Sequence, residues 1–196
     1  MEIKQLERTE ARDFVRLLFT CHEVEFTHLF GDTFSAIEIL INYYSNLNDY
    51  RGILIAKAGR KVAGLIEIWM KEFKCEKLPF KDFIRSFGFI KGLRCRLLLS
   101  YFSMKPKGDE AYIRFFCVHP NLSLDIGRNL LDKAIELARS MGKRKISIWL
   151  PVESDLVDVC IERGFKIKKM LDSNFAEKYF GKRYYYLLEL SEQALH

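Results

Sequence analysis

The sequence predicts a mixed α/β fold in which helices pack on the faces of a β-sheet. Segments of strand-like alternation and of helical periodicity follow one another along the chain, and they alternate in its second half. The 196 residues correspond to about one domain, so we expect a single domain over residues 1–196. A hydrophobic fraction of 49% and a charged fraction of 30% are typical of a globular chain.

The first part of the chain is expected to contain three strands and two helices. Thr9 can cap the first helix, and Ser35 with Glu38 three residues later matches a capping box that opens the second. A turn at Gly59 and Arg60 joins the last two strands into a hairpin. The predicted elements are strands over Glu2–Leu6, Gly52–Ala58 and Lys61–Met70, and helices from Glu10 to about His22 and from Ser35 onward.

A basic segment, at about residues 72–107, follows the third strand. Ten Lys or Arg and three Asp or Glu between Lys71 and Lys107 give it a local charge of +7, against +6 for the whole chain. Its apolar residues recur at helical spacing, which predicts one kinked or two short amphipathic helices around Gly88. They are Phe80, Phe83, Ile84, Phe87, Ile90, Leu93, Leu97 and Tyr101. A lid over an acceptor site, a docking surface for an anionic partner, a dimer interface and a plain solvated face are the open interpretations.

The remaining chain alternates strands with helices. Gly142 and Gly164 follow the two predicted helices and are suited to end them. The predicted elements are strands over Ala111–Val118, Lys145–Leu150, Phe165–Leu171 and Arg183–Leu190, and helices over Ile126–Met141 and Glu153–Arg163.

Composition argues against several classes of protein. No apolar run approaches the ~18 residues of a membrane span, and the first residues lack a secretory core, so we expect a cytoplasmic protein. The cysteines are odd in number and have no C-x-x-C spacing, so we expect neither a disulfide framework nor a metal site. They are Cys21, Cys75, Cys95, Cys117 and Cys160. No nucleic-acid-binding motif accompanies the basic segment, so a nucleic-acid partner is not expected.

The richest stretch for chemistry is a strand, Tyr112–Pro120, that leads through a short loop into a helix. The free N–H groups and positive dipole end of a helix start suit an anion such as a pyrophosphate, and Arg128 could add a charge-assisted contact. An ordinary connection with Ser123 or Asp125 as the helix cap is the alternative. No G-x-G-x-x-G or G-K-[ST] motif is present to decide between them.

Three motifs together resemble the GNAT superfamily of N-acetyltransferases. Val118–Pro120, a short loop and Ile126–Leu131 resemble its acetyl-CoA-binding core, which reads V-x-P, a Gly-rich turn and a helix with paired leucines. Cys160–Phe165 is similar to the family's Y-E-x-x-G-F motif. Gly64 in the third strand and the Tyr-rich last strand are also similar to the family pattern.

The resemblance implies a mostly antiparallel sheet of about seven strands, with helices on both faces and a helical insertion after the third strand. It also implies transfer of an acetyl group from acetyl-CoA to a primary amine of a small molecule or peptide, by direct attack on the thioester. A non-catalytic protein of this fold that binds CoA or a partner is the alternative, and a homodimer is possible.

The resemblance further implies how the co-substrate is bound. The backbone of Phe116, Cys117 and Val118 would pair with the pantetheine arm in a gap between splayed strands. The N–H groups of the following loop and helix start would hold the pyrophosphate. They belong to Ser123, Leu124, Asp125, Ile126, Gly127 and Arg128. The chain departs from the family at Asp125, which takes the place of a loop glycine, and at Leu122, which takes that of a Gln or Arg. A carboxylate beside a pyrophosphate is repulsive.

The resemblance suggests three catalytic candidates. Cys160 takes the place of the family's frequent Tyr acid, although a cysteine on a helix is commonly a small buried hydrophobe. Glu110 is a nearby carboxylate for the base, and Tyr185 lies on the last strand, which often lines the acceptor pocket. The other candidates for the base are Asp109, His119 and Glu67, and Glu67 is expected to face outward.

Overall fold

The computed structural model describes residues 1–59, 61–73, 80–99, 101–102 and 104–191. The strands are β1 (Glu2–Gln5), β2 (Ile53–Ala58), β3 (Lys61–Met70), β4 (Glu110–Val118), β5 (Lys145–Pro151), β6 (Lys166–Asp172) and β7 (Tyr184–Ser191). The helices are α1 (Ala11–Cys21), α2 (Glu23–Phe30), α3 (Thr33–Ser45), α4 (Phe80–Phe87), α5 (Phe89–Leu99), α6 (Asp125–Ser140), α7 (Leu156–Glu162) and α8 (Asn174–Phe180). A 3-10 turn (Arg8–Glu10) precedes α1.

These strands form one sheet in the order β1-β2-β3-β4-β5-β7-β6. Strands β4 and β5 are parallel, and the other neighbours pair in the antiparallel direction. The parallel pair requires a crossover, which α6 supplies. The predicted mixed, mostly antiparallel sheet is confirmed.

Helices cover both faces of the sheet, as predicted. On one face, the five helices α1 through α5 and helix α8 form an apolar cluster with sheet residues such as Ile55 and Leu65. On the other face, α6 and α7 form a second cluster with sheet residues such as Ile66 and Ile68. Leu65 and Ile66 are adjacent in β3 and fully buried in different clusters, because successive side chains of a strand point to opposite faces. A strand covered on both sides therefore has almost no exposed face.

Two helices were not predicted, and two predicted caps were wrong. The sequence pattern predicts a helix that ends at about His22, and it predicts neither α2 nor α8. The side chain of Asp32, not Ser35, caps α3, and its Oδ1 accepts the N–H groups of Phe34 and Ser35 at 3.1 and 3.3 Å. Thr9 lies in the 3-10 turn, and no side chain caps α1.

The insertion after β3 contains two short helices separated by Gly88, whose φ of 77° ends α4. Phe83 of α4 is fully buried and stacks on Phe30 of α2 with ring centroids 6.0 Å apart. Ile90 of α5 is 85% exposed. Some predicted positions lie outside the described residues. They are the turn residue Arg60, residues 74–79, 100 and 103, and the side chains of Phe80 and Leu97.

Among the described residues, no helix is long and apolar enough to cross a membrane.

Candidate active site

A gap opens where β4 and β5 separate. The two strands pair over only four positions, residues 110–113 of β4 against residues 145–148 of β5. Beyond these positions β4 continues to Val118 and β5 continues to Pro151, but the two strands no longer pair with each other. A bulge lies at this point, because Glu67 of β3 is opposite Phe115 while the next residue is opposite Ile113, which leaves Arg114 as the extra residue. The predicted splay near Phe116–Val118 is present.

The unpaired edge of β4 presents peptide groups to this gap. Cys117 is opposite Leu65 on β3, and the N–H of His119 donates to the carbonyl of Ala63 at 2.9 Å. Since peptide groups along a strand point alternately to its two sides, those of Phe116 and Val118 point away from β3 and into the gap. The Cys21 thiol donates to the Val118 carbonyl at 3.3 Å.

Two cavities meet in the gap. The loop-side cavity, of about 290 Å³, is lined by residues 116–120 of β4 and its following loop, by Leu124, and by residues 153–156, which lead into α7. The aromatic cavity, of about 110 Å³, lies toward the interior and is lined by rings from β4, β5, β7, α2 and α8. Five residues line both cavities and form their junction. They are His22, Glu25, Phe116, Leu150 and Pro151.

The junction carries a charged cluster that sequence analysis did not identify. The Nδ1 of His22 lies 3.7 Å from the Glu25 carboxylate, and its Nε2 lies 3.3 Å from the Cys117 Sγ. The Lys182 ammonium is 3.2 Å from the same carboxylate. Burial alone would raise the pKa of Glu25, but the hydrogen bond from His22 and the positive charge of Lys182 lower it. Glu25 is therefore a buried carboxylate that remains ionised at neutral pH.

A sequence signal for this cluster was available. Phe26, Leu29 and Phe30 have the i, i+3, i+4 spacing of a buried helix face, and they bury the inner side of α2. If that helix is recognised, Glu25 falls on the same side as the buried Leu29, because residues four apart share a helix face. Nothing in the sequence indicates that the start of α2 lies against the end of β4.

The loop before α6 has most of its polar groups paired. The Ser123 hydroxyl donates to Asp125 at 2.9 Å, and the Asp125 N–H donates to the Ser123 Oγ at 3.1 Å. The Ile126 N–H donates to the Ser123 carbonyl, and that of Arg128 to the Leu124 carbonyl. Leu124 is the N-cap residue, and its side chain makes no capping hydrogen bond.

Arg128 is held by two carboxylates. It pairs with Asp125 at 3.0 Å and makes a two-point contact with Glu162 at 2.7 and 3.0 Å. The hydrogen bonds from Ser123 and Arg128 lower the pKa of Asp125. The guanidinium expected to contact a pyrophosphate is thus engaged within the protein.

Gly127 lets the start of α6 lie directly against β4. A Cβ on this residue would be 3.0 Å from a Val118 methyl carbon and 3.3 Å from one of Leu156. The absent side chain therefore allows the N-terminus of α6 to approach the gap closely.

The structure does not bring Cys160 or Glu110 to these cavities. Cys160 is fully buried in the cluster beneath α6 and α7, and burial raises its pKa to about 12. Glu110 begins β4 at the end away from the splay and pairs with Lys145 at 2.7 Å, a hydrogen bond that lowers the pKa of Glu110. Asp109 lies beside it and pairs with Arg144. Neither cavity is lined by any of these three candidates.

Tyr185 lines the aromatic cavity. The residue is 4% exposed, and burial raises the pKa of its hydroxyl. Among the described residues, this hydroxyl is the only buried side-chain nitrogen or oxygen atom without a hydrogen-bond partner. Such an orphan group is uncommon in proteins and indicates a position where a ligand can supply the partner.

Glu67 faces inward, which corrects the expectation that it faces outward. It is 4% exposed and accepts hydrogen bonds from Tyr44 and Trp69, each at 2.7 Å. Arg114 pairs with it at 3.3 Å and lies between the Trp69 and Phe115 rings. Glu67 lines neither cavity, and its oxygens are occupied by this buried network.

His119 lines the loop-side cavity, and its Nδ1 accepts the N–H of Asn121 at 3.3 Å. In the described part of the chain, no three His, Cys, Asp or Glu side chains come together as a candidate metal site.

The sheet splays between two parallel strands, and the gap holds one cavity that opens to a helix start and another that is lined by rings. An acyl donor and an acceptor could meet in such a gap. The model of the family described as "Acetyltransferase (GNAT) family" matches residues 11–160, about three quarters of the chain. The chain therefore belongs to the GNAT family of acetyltransferases, which use acetyl-CoA as co-substrate. A search of curated proteins finds no match.

Solved structures of acetyltransferases share the fold. A GNAT acetyltransferase from Streptococcus pneumoniae is 20% identical with a TM-score of 0.62, over 97% of this chain and 98% of that one. The putative acetyltransferase yncA from Salmonella typhimurium, solved with acetyl-CoA, is 14% identical with a TM-score of 0.62, over 100% and 96%. The paia N-acetyltransferase from Thermoplasma acidophilum, solved with coenzyme A, is 14% identical with a TM-score of 0.58, over 97% and 98%.

The residues at the gap fit acetyl-CoA. The peptide groups of Phe116 and the N–H of Val118 point into the gap and can pair with the amides of an extended chain, as an added strand would. The loop-side cavity continues from these groups to Leu122 and Leu124, at the start of α6.

Proposed function

We propose that the protein transfers the acetyl group of acetyl-CoA to the nitrogen of a primary amine by direct attack. The observation that carries this proposal is the junction, where His22 and Glu25 line both the loop-side cavity and the aromatic cavity. A donor bound on one side and an acceptor bound on the other would meet at an acid–base pair. Direct transfer needs this proximity.

We assign co-substrate binding to the loop-side cavity. The backbone of Phe116 and Val118, on either side of Cys117, would bind the pantetheine arm along the unpaired edge of β4. N–H groups at the start of α6 would bind the pyrophosphate, with Arg128 exchanging a carboxylate for a phosphate oxygen. The residues of this second group are Ser123, Leu124, Asp125, Ile126, Gly127 and Arg128. The N–H groups of Asp125, Ile126 and Arg128 would first have to leave the oxygens of Ser123 and Leu124.

The acceptor amine would occupy the aromatic cavity with its nitrogen at the junction. Glu25 holds the ammonium form, which must lose one proton to solvent before it reacts. The neutral amine then attacks the thioester carbonyl carbon. His22 takes the second proton as the N–C bond forms and returns it to the sulfur as the C–S bond breaks. Imidazole suits this exchange because histidine side chains gain and lose protons near neutral pH.

Of the three catalytic candidates suggested by sequence, only Tyr185 enters this proposal. Tyr185 lines the acceptor side, and its unpartnered hydroxyl can hydrogen-bond the amine. Cys160 and Glu110 are left out because neither lines a cavity.

The test is release of free thiol from acetyl-CoA in the presence of a panel of amines. His22→Gln should lower kcat by about 10²–10⁴-fold, the usual contribution of a general base. His28→Gln is the matched control, since His28 lies in α2, lines neither cavity and bonds the Val24 carbonyl. Equal activity of the two variants would rule out His22 as the base.

A second candidate function is a non-catalytic protein of this family that binds CoA or a partner. The observation that favours it is the pairing of Arg128 with Asp125 and Glu162, which occupies the guanidinium in the pyrophosphate loop. Binding of CoA, with no thiol release from acetyl-CoA by any amine of the panel, would favour this function over transfer.

A further inference from the structure

We propose that the acceptor is a primary amine carried by a short carbon chain on a single aromatic ring, the 2-phenylethylamine class. This inference rests on the proposed function, because it names the acceptor of that same reaction. The aromatic cavity carries it, through its rings, its size and the position of its polar groups.

The cavity wall is made of aromatic rings from separate elements. They are Phe26, Phe102, Phe115, Trp149, Phe180 and Tyr185. The Phe102 ring packs against three of the others, with centroids 4.4 Å from Tyr185, 5.2 Å from Phe180 and 6.1 Å from Trp149. Rings that support one another form a preformed surface, and offset or tilted packing against them favours another ring over an aliphatic chain.

The polar groups of the cavity converge on the junction. The Tyr112 hydroxyl donates to the Phe102 carbonyl, and Arg114 pairs with Glu67, so the protein already uses both. The Tyr185 hydroxyl has no partner. The Glu25 carboxylate pairs with His22 and Lys182 at the junction, and its charge acts on Tyr185. An ammonium group satisfies both, because it can donate to a carboxylate and a hydroxyl together.

The same features disfavour other amines. A polyamine would place a second, desolvated cation among the rings, which costs free energy without a paired anion. A peptide would bring backbone amides into a wall that offers few partners. The volume of about 110 Å³ is about a quarter below the ~150 Å³ of an apolar cavity that binds benzene, and the junction adds room for the chain and nitrogen. One ring fits this space.

The first test measures binding without turnover, by calorimetry with 2-phenylethylamine. The comparison compound is 2-phenylethanol, which keeps the ring and chain but lacks the charge. Wild-type protein should bind the amine about tenfold or more tightly than the alcohol, and Glu25→Gln should abolish that difference. Equal affinity for the two compounds in the wild type would overturn the inference.

The second test uses the unpartnered hydroxyl. Tyr185→Phe keeps the ring and removes only the oxygen, so the variant should fold and should bind 2-phenylethylamine about three- to tenfold more weakly. Tyr184→Phe is the matched control, because Tyr184 is its neighbour in β7, is 44% exposed and does not line the cavity. An equal effect of both changes, or no effect of either, would contradict the assigned position of the ammonium.

The third test compares kcat/KM for 2-phenylethylamine, butylamine, spermidine and an alanine-terminated peptide. The aromatic amine should exceed the others by about tenfold or more. A higher value for spermidine or the peptide would overturn the acceptor class and leave the transfer intact. Selective binding of 2-phenylethylamine with no thiol release would overturn the transfer and leave the ligand class intact.

Discussion

At the scale of single residues, Asp125 is a position where the sequence pattern predicts a departure from the family. Its carboxylate lies at the start of α6, pairs with Arg128 and accepts the Ser123 hydroxyl. Asp125→Gly removes a negative charge from the pyrophosphate site and releases Arg128 from one of its partners. We expect calorimetry to show tighter CoA binding, and thermal unfolding to show a slightly lower Tm because the helix loses a favourable first-turn charge.

Asp13→Gly is the control for this change. Asp13 is an exposed acidic residue in the first turn of α1, outside both cavities, so its loss should lower Tm and leave CoA affinity unchanged. Unchanged CoA affinity in Asp125→Gly would instead mean that the pyrophosphate binds elsewhere.

Cys160 should act in packing rather than in chemistry. Cys160→Ala should retain kcat/KM and reduce the free energy of unfolding by about 0.5–3 kcal/mol, the usual range for a buried change. Both quantities are measured directly, by thiol release and by urea unfolding. A large fall in kcat with normal stability would restore Cys160 as a candidate acid.

The raised pKa of Cys160 also predicts a pH dependence. The folded protein binds this proton more tightly than the unfolded chain, because the pKa is about 12 against an ordinary value of 9.0. The stabilisation is present below about pH 9 and is lost as pH rises toward 12. The stability advantage of wild type over Cys160→Ala should therefore shrink by about 1 kcal/mol between pH 8 and about pH 10.

At the scale of elements, the basic insertion joins the core through its inner face. Phe83→Ala should reduce the free energy of unfolding by about 3–5 kcal/mol, because it removes a fully buried ring that stacks on Phe30. Ile90→Ala, at an apolar but 85% exposed position of α5, should stay within about 0.5 kcal/mol of wild type. Similar values for the two variants in urea unfolding would show that the inner face adds little.

The elements that sequence analysis missed are short and close to others. Only His22 separates the end of α1 from the start of α2. The helical periodicity of the sequence therefore does not reveal where α1 ends and α2 begins. Helix α8 has seven residues, which is too few for a clear periodicity. The sequence does carry cap residues for α8, Ser173 before it and Gly181 after it. In the structure the Ser173 Oγ accepts the Ala176 N–H, and Gly181 has a φ of 72°.

At the scale of the whole molecule, binding of acetyl-CoA should stabilise the fold. At about 100 times its Kd the ligand should add ~2.7 kcal/mol, or a rise in Tm of about 5–11 °C for a chain of this size. ATP at the same concentration is the control for unspecific attraction of anions to a chain of net charge +6. An equal shift with ATP would argue against a specific CoA site.

The resemblance predicted the splayed gap, whereas two of its three catalytic candidates, Cys160 and Glu110, lie outside both cavities. A strand, a loop and a helix start that follow one another in sequence stay neighbours in space, so Phe116 and Val118 were placed at the gap correctly. The exposure of Glu67 was predicted wrongly because alternation assigns a residue to a face of the sheet, and here helices cover both faces.

The sequence by itself determined the order of most strands and helices, the basic segment and the strand–loop–helix unit, because these depend on local periodicity and on neighbouring residues. Only the tertiary structure decided which side chains share the junction. His22 and Cys117 are 95 positions apart, yet their ring nitrogen and sulfur lie 3.3 Å from each other. That contact exists because α1 and α2 pack over the splayed end of β4, and such packing depends on the whole core rather than on any local pattern.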